Sequence, residues 1–321
     1  MVGKMLVLYI VLSIIAVMVI AYVGFVLVSF KISTTGIQKE DDLFSDDQLP
    51  QLLPYIDDMR NCRMWLDKVP YDDIYVTSYD GLKLYAKYYH CEQPRAVAIL
   101  VHGYKGDGET CYPKISKYLL EQGIEVVIIR QRAHVHSEGK RLCFGLKERY
   151  DVKSWCDYVS SIIPKGMPMF VSGISMGAAS VLMASSLELP GNVKFLVSDC
   201  AFSDAYKEFE NVAKLQKIPP FLFAPAGRLM YKITEGVDIK KERPVDEVKH
   251  SRLPILIIHG EADDFVPFHM CKEIYNACSQ DKELITVPGA VHGMSYLVDT
   301  EKCTEAFQRW IDKYLAADGN L

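Results

Sequence analysis

The chain has 321 residues, 50% of them hydrophobic and 24% charged, and a formal net charge of −5. That is the composition of a folded globular protein, and without a cluster of Lys and Arg it lacks the electrostatic footprint of a nucleic-acid binder. The nine cysteines are scattered, with no C-x-x-C and no zinc-ligand spacing. They read as buried or free thiols rather than a disulfide framework or a structural zinc site, which suits a reducing compartment or an organism living without oxygen.

Met5 to Phe30 carries no charge. As a helix this run spans about 39 Å, enough to cross a hydrocarbon core of about 30 Å with some tilt. A cleaved signal peptide has an apolar region of about 7–15 residues and a small-x-small cleavage site; Val28-Ser29-Phe30-Lys31 is a poor one. Residues 1–31 are therefore expected to be a single-pass membrane anchor. Lys4 on one flank and Lys31 and Lys39 on the other barely discriminate its orientation, and the side of the membrane stays open, with a slight lean toward the extracytoplasmic face. Residues 32–70 read as a juxtamembrane connector. It holds an acidic cluster, Glu40-Asp41-Asp42 and Asp46-Asp47, expected to be solvated, and a short helix over Leu52 to Trp65.

Residues 71–321 form the main domain. Ile74–Ser78 and Leu82–Tyr89 are expected to pair as a hairpin around Asp80-Gly81. Six continuous apolar runs follow, at 96–101, 126–129, 169–171, 195–197, 255–258 and 284–287. Continuous rather than alternating runs mark strands buried on both faces of a parallel sheet. Helical patterns lie between and around them, near 112–122, 147–163, 177–188, 203–214, 268–279 and 301–316. The alternation predicts a three-layer α/β domain with a mostly parallel sheet and an antiparallel hairpin at its N-terminal edge. About 50 residues between Cys200 and Leu253 are inserted, the span 202–250 being the expected small helical cap. The apolar, proline-rich run 218–226 could wall an acyl pocket or be a short helical connector packed on the sheet edge.

Ligands of such sheets bind at the carboxyl ends of the strands, and the strand-end residues carry the chemical signal. Gly173-Ile174-Ser175-Met176-Gly177 is a G-x-S-x-G between an apolar run and a small-residue helical run, the context of a nucleophile elbow. An ordinary tight turn makes no demand on the rest of the chain; a catalytic serine requires an acid, then a histidine, further on. Asp263, in the loop after the strand ending at Ile258, is the candidate acid, with Asp264 its rival. His292, between Ala290 and Gly293 after the last strand, is the candidate base. A serine attacking a carbonyl, a histidine taking its proton and an aspartate orienting that histidine make an acyl-transfer site. His102-Gly103-Tyr104 follows the first buried strand. The Tyr104 and Met176 backbone N–H groups are the candidate oxyanion donors, worth roughly two to three orders of magnitude each. Gly103, Gly106 and Gly108 also resemble a phosphate loop, weakly, since no Gly-Lys-Ser/Thr follows. His102 reads as a structural hydrogen-bonder.

Together these residues resemble the α/β-hydrolase superfamily, and more closely its bacterial serine-hydrolase branch, grouped with the serine-aminopeptidase-like and prolyl-oligopeptidase-like hydrolases and often membrane-anchored. The resemblance covers about Tyr71 to Leu315. It also takes in Arg132-Ala133-His134, Ser137-Glu138-Gly139 and Glu148-Arg149-Tyr150-Asp151, with three departures: Arg130 where the family has aspartate, Val135 where it has glycine, and an extra His136. The resemblance implies an α/β-hydrolase fold and a membrane-anchored serine hydrolase. A carboxylic-ester hydrolase is favoured over a serine peptidase, because no acidic pair for a peptide N-terminus stands out. A non-catalytic scaffold fits poorly with every triad position filled. The expected substrate is a small-molecule acyl ester, lipid-derived esters included. No metal or organic cofactor is expected, and nothing in the chain speaks to oligomeric state.

Overall fold

The computed structural model describes residues 2–36 and 50–315. The acidic cluster at 40–47 and the last residue of the helix expected at 301–316 lie outside them. Eight strands form one sheet in the order β1-β2-β4-β3-β5-β6-β7-β8. They are β1 Tyr71–Thr77, β2 Lys83–Tyr89, β3 Ala96–Val101, β4 Ile124–Ile129, β5 Met169–Ile174, β6 Val193–Asp199, β7 Ile255–Gly260 and β8 Lys282–Val287. β1 pairs antiparallel with β2, and β2 with β4; every later pairing is parallel. Every residue of β3, β4 and β7 is buried, as continuous apolar runs require.

Helices cover both faces. On one, Leu119 and Leu120 of the helix Pro113–Glu121 and Phe307, Trp310 and Ile311 of the helix Thr300–Leu315 pack on Phe170 and Phe195. On the other, Trp155 of Glu148–Ile162, Val181 of Met176–Ala184 and Ile274 of His269–Ala277 pack on Val97, Val171 and Ile257. The insert after β6 carries the helices Ala205–Leu215 and Pro220–Thr234 and, before β7, the short helix Pro244–Glu247. The second occupies the proline-rich stretch. Pro220 sits at its first position, where the missing N–H has no role. Pro225 lies inside it and forgoes one hydrogen bond, to the carbonyl of Phe221 in the first turn.

The N-terminal helix runs Val2–Thr34. Its last turn does not hang free. Phe30 and Thr34 are buried, and Phe30 packs edge-on to Tyr231 with ring centroids 5.0 Å apart. The final carbonyls of a helix have no partner inside it; here the domain supplies them. Lys105 Nζ donates to Ile32 at 2.8 Å, the Tyr104 hydroxyl to Ser33 at 2.9 Å and the Leu142 N–H to Thr34 at 2.7 Å.

Candidate active site

β5 runs straight into Ser175, which caps the helix Met176–Ala184 with φ 55° and ψ −120°. A positive φ is strained for a residue with a Cβ and persists only where the surroundings fix it. Here the Ser175 N–H donates to the Asp199 carbonyl at 2.8 Å and the Ser175 carbonyl accepts from Ala179 N–H at 3.0 Å. The flanking glycines are sterically required. A Cβ on Gly173 would lie 2.4 Å from the Gly177 carbonyl oxygen, and one on Gly177 would lie 2.1 Å from that of Val101.

His292 stands between Ser175 and Asp263. Its Nε2 is 2.8 Å from Ser175 Oγ and its Nδ1 is 2.8 Å from Asp263 Oδ2. A carboxylate accepts only, so the ring proton sits on Nδ1 and the Nε2 lone pair faces the serine hydroxyl. Asp263 Oδ1 accepts from Val266 N–H at 2.8 Å, and His259 Nε2 lies 3.0 Å from the Val266 carbonyl and 3.4 Å from Asp263 Oδ2. Burial pushes the Asp263 carboxyl upward, but the hydrogen bonds from His259 and His292 outweigh it and hold the acid below its usual range. Asp264, the rival acid, is exposed. The structure thus brings together serine, histidine and aspartate in an arrangement able to move a proton off Ser175.

The loop after β3 lies against the nucleophile: a Cβ on Gly103 would be 3.3 Å from that of Ser175. Met176 opens its helix, so its N–H has no intrahelical acceptor. His102 is fully buried, with Nδ1 2.8 Å from the Gly103 carbonyl and Nε2 accepting from Gln131 N–H at 3.1 Å. Burial drives its pKa well down, which leaves a neutral ring bracing the loop. Arg130 braces it from below. Its guanidinium pairs with Glu109 and lies 3.6 Å from Asp107; Asp107 caps the short turn Gly108–Cys111, accepting from Glu109 N–H at 2.9 Å and Thr110 N–H at 3.3 Å. The departure at 130 is thereby matched by an acid, Glu109, supplied from the chain just after the loop 102–106. His136 and Ala133 take positive φ, 67° and 63°, and the His136 ring rests on Tyr85, centroids 4.9 Å apart.

Besides Asp107 and Glu109, the buried carboxyls Asp199 and Glu208 also escaped the sequence reading. Asp199 ends β6, lines the cavity beside His292, and is pushed up to about 7 by burial. Glu208 of the cap is pushed up to about 8 by burial, with the Asp263 charge adding, and neither of its oxygens has a hydrogen-bond partner. A charged residue closing a buried apolar run was the available signal for Asp199. Glu208 gave none, since acids on a helix pattern are commonplace. The cavity itself measures about 460 Å³ and is mostly apolar, walled by Ile174, Leu215, Phe265, Met294 and, from the connector, Leu52 and Met59. Among the described residues, Cys200, Asp263 and His292 form the single group whose ligand atoms lie close enough for a metal, within 4.8 Å. Both His292 nitrogens are already engaged, and burial pushes the Cys200 thiol up, away from the thiolate a metal takes.

Residues 92–245 match the family model of serine aminopeptidase S33. The uncharacterised protein YqkD of Bacillus subtilis (strain 168) is 22% identical over 200 residues, which cover 62% of this chain and 66% of that protein. The matched chain thus spans just under two thirds of that relative. Among solved structures, the Pyrococcus furiosus esterase Pf2001 superposes with a TM-score of 0.65 at 19% identity, over 88% of this chain and 99% of its own. A puromycin-hydrolysing peptidase of Mycobacterium tuberculosis superposes with a TM-score of 0.62 at 17% identity, over 77% of this chain and 40% of its own.

Proposed function

We propose that the chain, whose fold is that of α/β-hydrolase esterases, is a serine hydrolase cleaving carboxylic esters through a covalent acyl-enzyme. The observation carrying this is His292, bridging Ser175 Oγ and Asp263 Oδ2 at 2.8 Å each. Ser175 Oγ attacks the ester carbonyl as its proton passes to His292 Nε2. The resulting imidazolium is held by Asp263, and the oxyanion accepts from the Tyr104 and Met176 N–H groups. The imidazolium then protonates the departing alcohol. His292 next takes a proton from water, whose oxygen attacks the acyl-enzyme, and Ser175 leaves as the alcohol once that proton returns.

The apolar cavity favours an ester with a hydrophobic acyl group, lipid-derived esters included. The match to a serine aminopeptidase model favours a second reading, a serine peptidase on the same site. A panel of p-nitrophenyl esters against aminoacyl- and dipeptidyl-nitroanilides decides between them: turnover of esters at least tenfold above the amides is expected, and the reverse order makes it a peptidase. Labelling by a fluorophosphonate probe in wild type but not in Ser175→Ala is the companion test, and labelling of the variant removes Ser175 from its role.

Within this reading residues 1–31 are a retained membrane anchor, 32–70 the connector and 71–321 the hydrolase domain, with the cap at about 202–250. Support for retention is the docked last turn: cleavage near residue 30 would strip Phe30 from the cluster of Tyr231 and Phe209.

A further inference from the structure

The cap helix Pro220–Thr234 turns apolar residues outward. Phe221 is 74% exposed, Leu222 41% and Leu229 57%. Leu222 and Leu229 are seven apart and share one face. An exposed apolar stripe on a helix that already has a buried face marks an interaction surface. The buried face of this helix packs on the helix Ala205–Leu215 and, along one side, on the N-terminal helix. The Tyr22 hydroxyl donates to the Leu222 carbonyl at 2.8 Å, and Phe30 meets Tyr231. Contacts advance in the same sense along both helices, so the two run side by side and parallel for about 12 Å.

That alignment fixes a depth. An upright helix entering the hydrocarbon at Met5 uses about 20 residues for a core of about 30 Å and leaves it near Gly24. Tyr22 then lies at the boundary, where tyrosine is enriched, and Leu222 lies level with it. Leu229, about 10 Å further along, falls among the headgroups. Charge agrees. From Asn211 to Thr234 the chain carries Lys214, Lys217, Arg228 and Lys232 and no carboxylate, within a protein of net charge −5. Arg228 and Lys232 are paired with Asp238, while Lys214 and Lys217 stand exposed just before the tip. Leu215, between them, walls the cavity beside His292.

We propose that the tip of the cap, Phe221 and Leu222 with Leu229 above them and Lys214 and Lys217 beside them, docks on the anionic phospholipid surface that holds the N-terminal helix, and that the site takes its acyl esters from that surface. This rests on the N-terminal helix being a retained anchor and on the esterase reading of the site. The full-length protein is reconstituted in vesicles of phosphatidylcholine with phosphatidylglycerol, carrying the photo-crosslinker p-benzoylphenylalanine in place of Phe221 or, as a control, in place of Ile162, an exposed apolar residue on a helix of the sheet's own layer. Irradiation is expected to attach phospholipid at 221 and not at 162. Adducts at 221 with protein alone, a second copy included, overturn the proposal. In parallel, Phe221→Asp with Leu222→Asp is expected to lower hydrolysis of a long-chain ester embedded in the vesicles about fivefold or more and to leave a soluble short-chain ester unchanged. An equal fall in both, or in neither, overturns it. Release of wild type by alkaline carbonate sinks the anchor and the docking together, whereas retention without a lipid adduct at 221 sinks the docking alone. Loss of both ester activities on Ser175→Ala with the lipid adduct at 221 retained keeps the esterase reading separate from either.

Discussion

The rim of the sheet and the anchor side of the cap are held by different means. At the rim, backbone bonds to backbone. The Ser175 N–H donates to Asp199 at 2.8 Å, the Cys200 N–H to Ile258 at 2.9 Å, and the Ala262 N–H to Ala290 at 3.0 Å, which ties the loop of Asp263 to the loop of His292. On the anchor side, apart from the Leu142 N–H bond to Thr34, side chains do the holding: the Tyr231 hydroxyl to the Leu142 carbonyl at 3.0 Å, Arg141 to Glu235 at 3.0 Å and Phe30 wedged on Tyr231. Main-chain bonds fix positions to the fraction of an ångström that proton transfer needs. Side-chain contacts leave room to shift, which suits the surface where substrate arrives. The two regimes meet at the loop 102–106, which faces Ser175 through Gly103 and the N-terminal helix through Tyr104 and Lys105.

If the rim is self-contained, its chemistry separates cleanly from its stability. Ser175→Ala is expected to lower kcat on a soluble p-nitrophenyl ester by about 10⁴-fold or more while the melting temperature stays put, since the turn is held by backbone bonds that the substitution leaves in place. A melting temperature lowered by many degrees would break the comparison, because the rim would then lean on its own nucleophile. The next effect is on stability. Arg130→Met leaves Glu109 fully buried with Lys87 as its remaining cation, 3.3 Å away. Removing one member of a buried pair costs about 3–5 kcal/mol, and urea unfolding should read that loss. The folded fraction should turn over within about threefold of wild type if backbone alone sets the oxyanion loop; a larger fall says the ion pair positions it.

How much of this could be read beforehand follows the same divide. The strands at 96–101 and 255–258 were visible because burial on both faces leaves an unbroken apolar run, and Ser175, Asp263 and His292 because chain order restricts which loops can meet. A helical cap was expected over 202–250, but the extent of the helix Pro220–Thr234 was hidden by its prolines, which mark a break in sequence yet sit where the helix tolerates them. The pairing of Arg130 with Glu109 was hidden because a charge in sequence does not announce its burial. Nor could hydropathy reveal that the last turn of an apolar helix docks on the loop 102–106, since hydropathy reports what leaves water and not what it leaves water for.

Glu208 offers a test of the cap by pH. Its folded-state carboxyl titrates near 8, against an ordinary value of 4.5. Between those values the folded chain holds one more proton than the unfolded one, so this group destabilises the fold as pH rises through the window. The slope is about 1.4 kcal/mol per pH unit. Glu208→Gln, which keeps the neutral shape, should match wild type near pH 5 and be the more stable form at pH 8, read from paired thermal melts. Parallel curves at both pH values would place that carboxylate in water and make the cap looser than the rim by more than its contacts suggest.

The smallest effect bears on the place where the two regions join. Tyr104→Phe keeps the ring stacked on Phe144, centroids 5.6 Å apart, and removes the single bond from its hydroxyl to Ser33. A hydrogen bond of this kind contributes about 1 kcal/mol. If that bond holds the loop in register with Ser175, the loss falls on stabilisation of the oxyanion, which forms after substrate binds. kcat should then drop by up to about fivefold with KM unchanged. If the helix merely rests on the loop, the bond contributes to stability and kcat stays at the wild-type value. A rise in KM at constant kcat would instead mean that Tyr104 shapes the cavity and not the oxyanion site, and the anchor would then be coupled to binding rather than to chemistry.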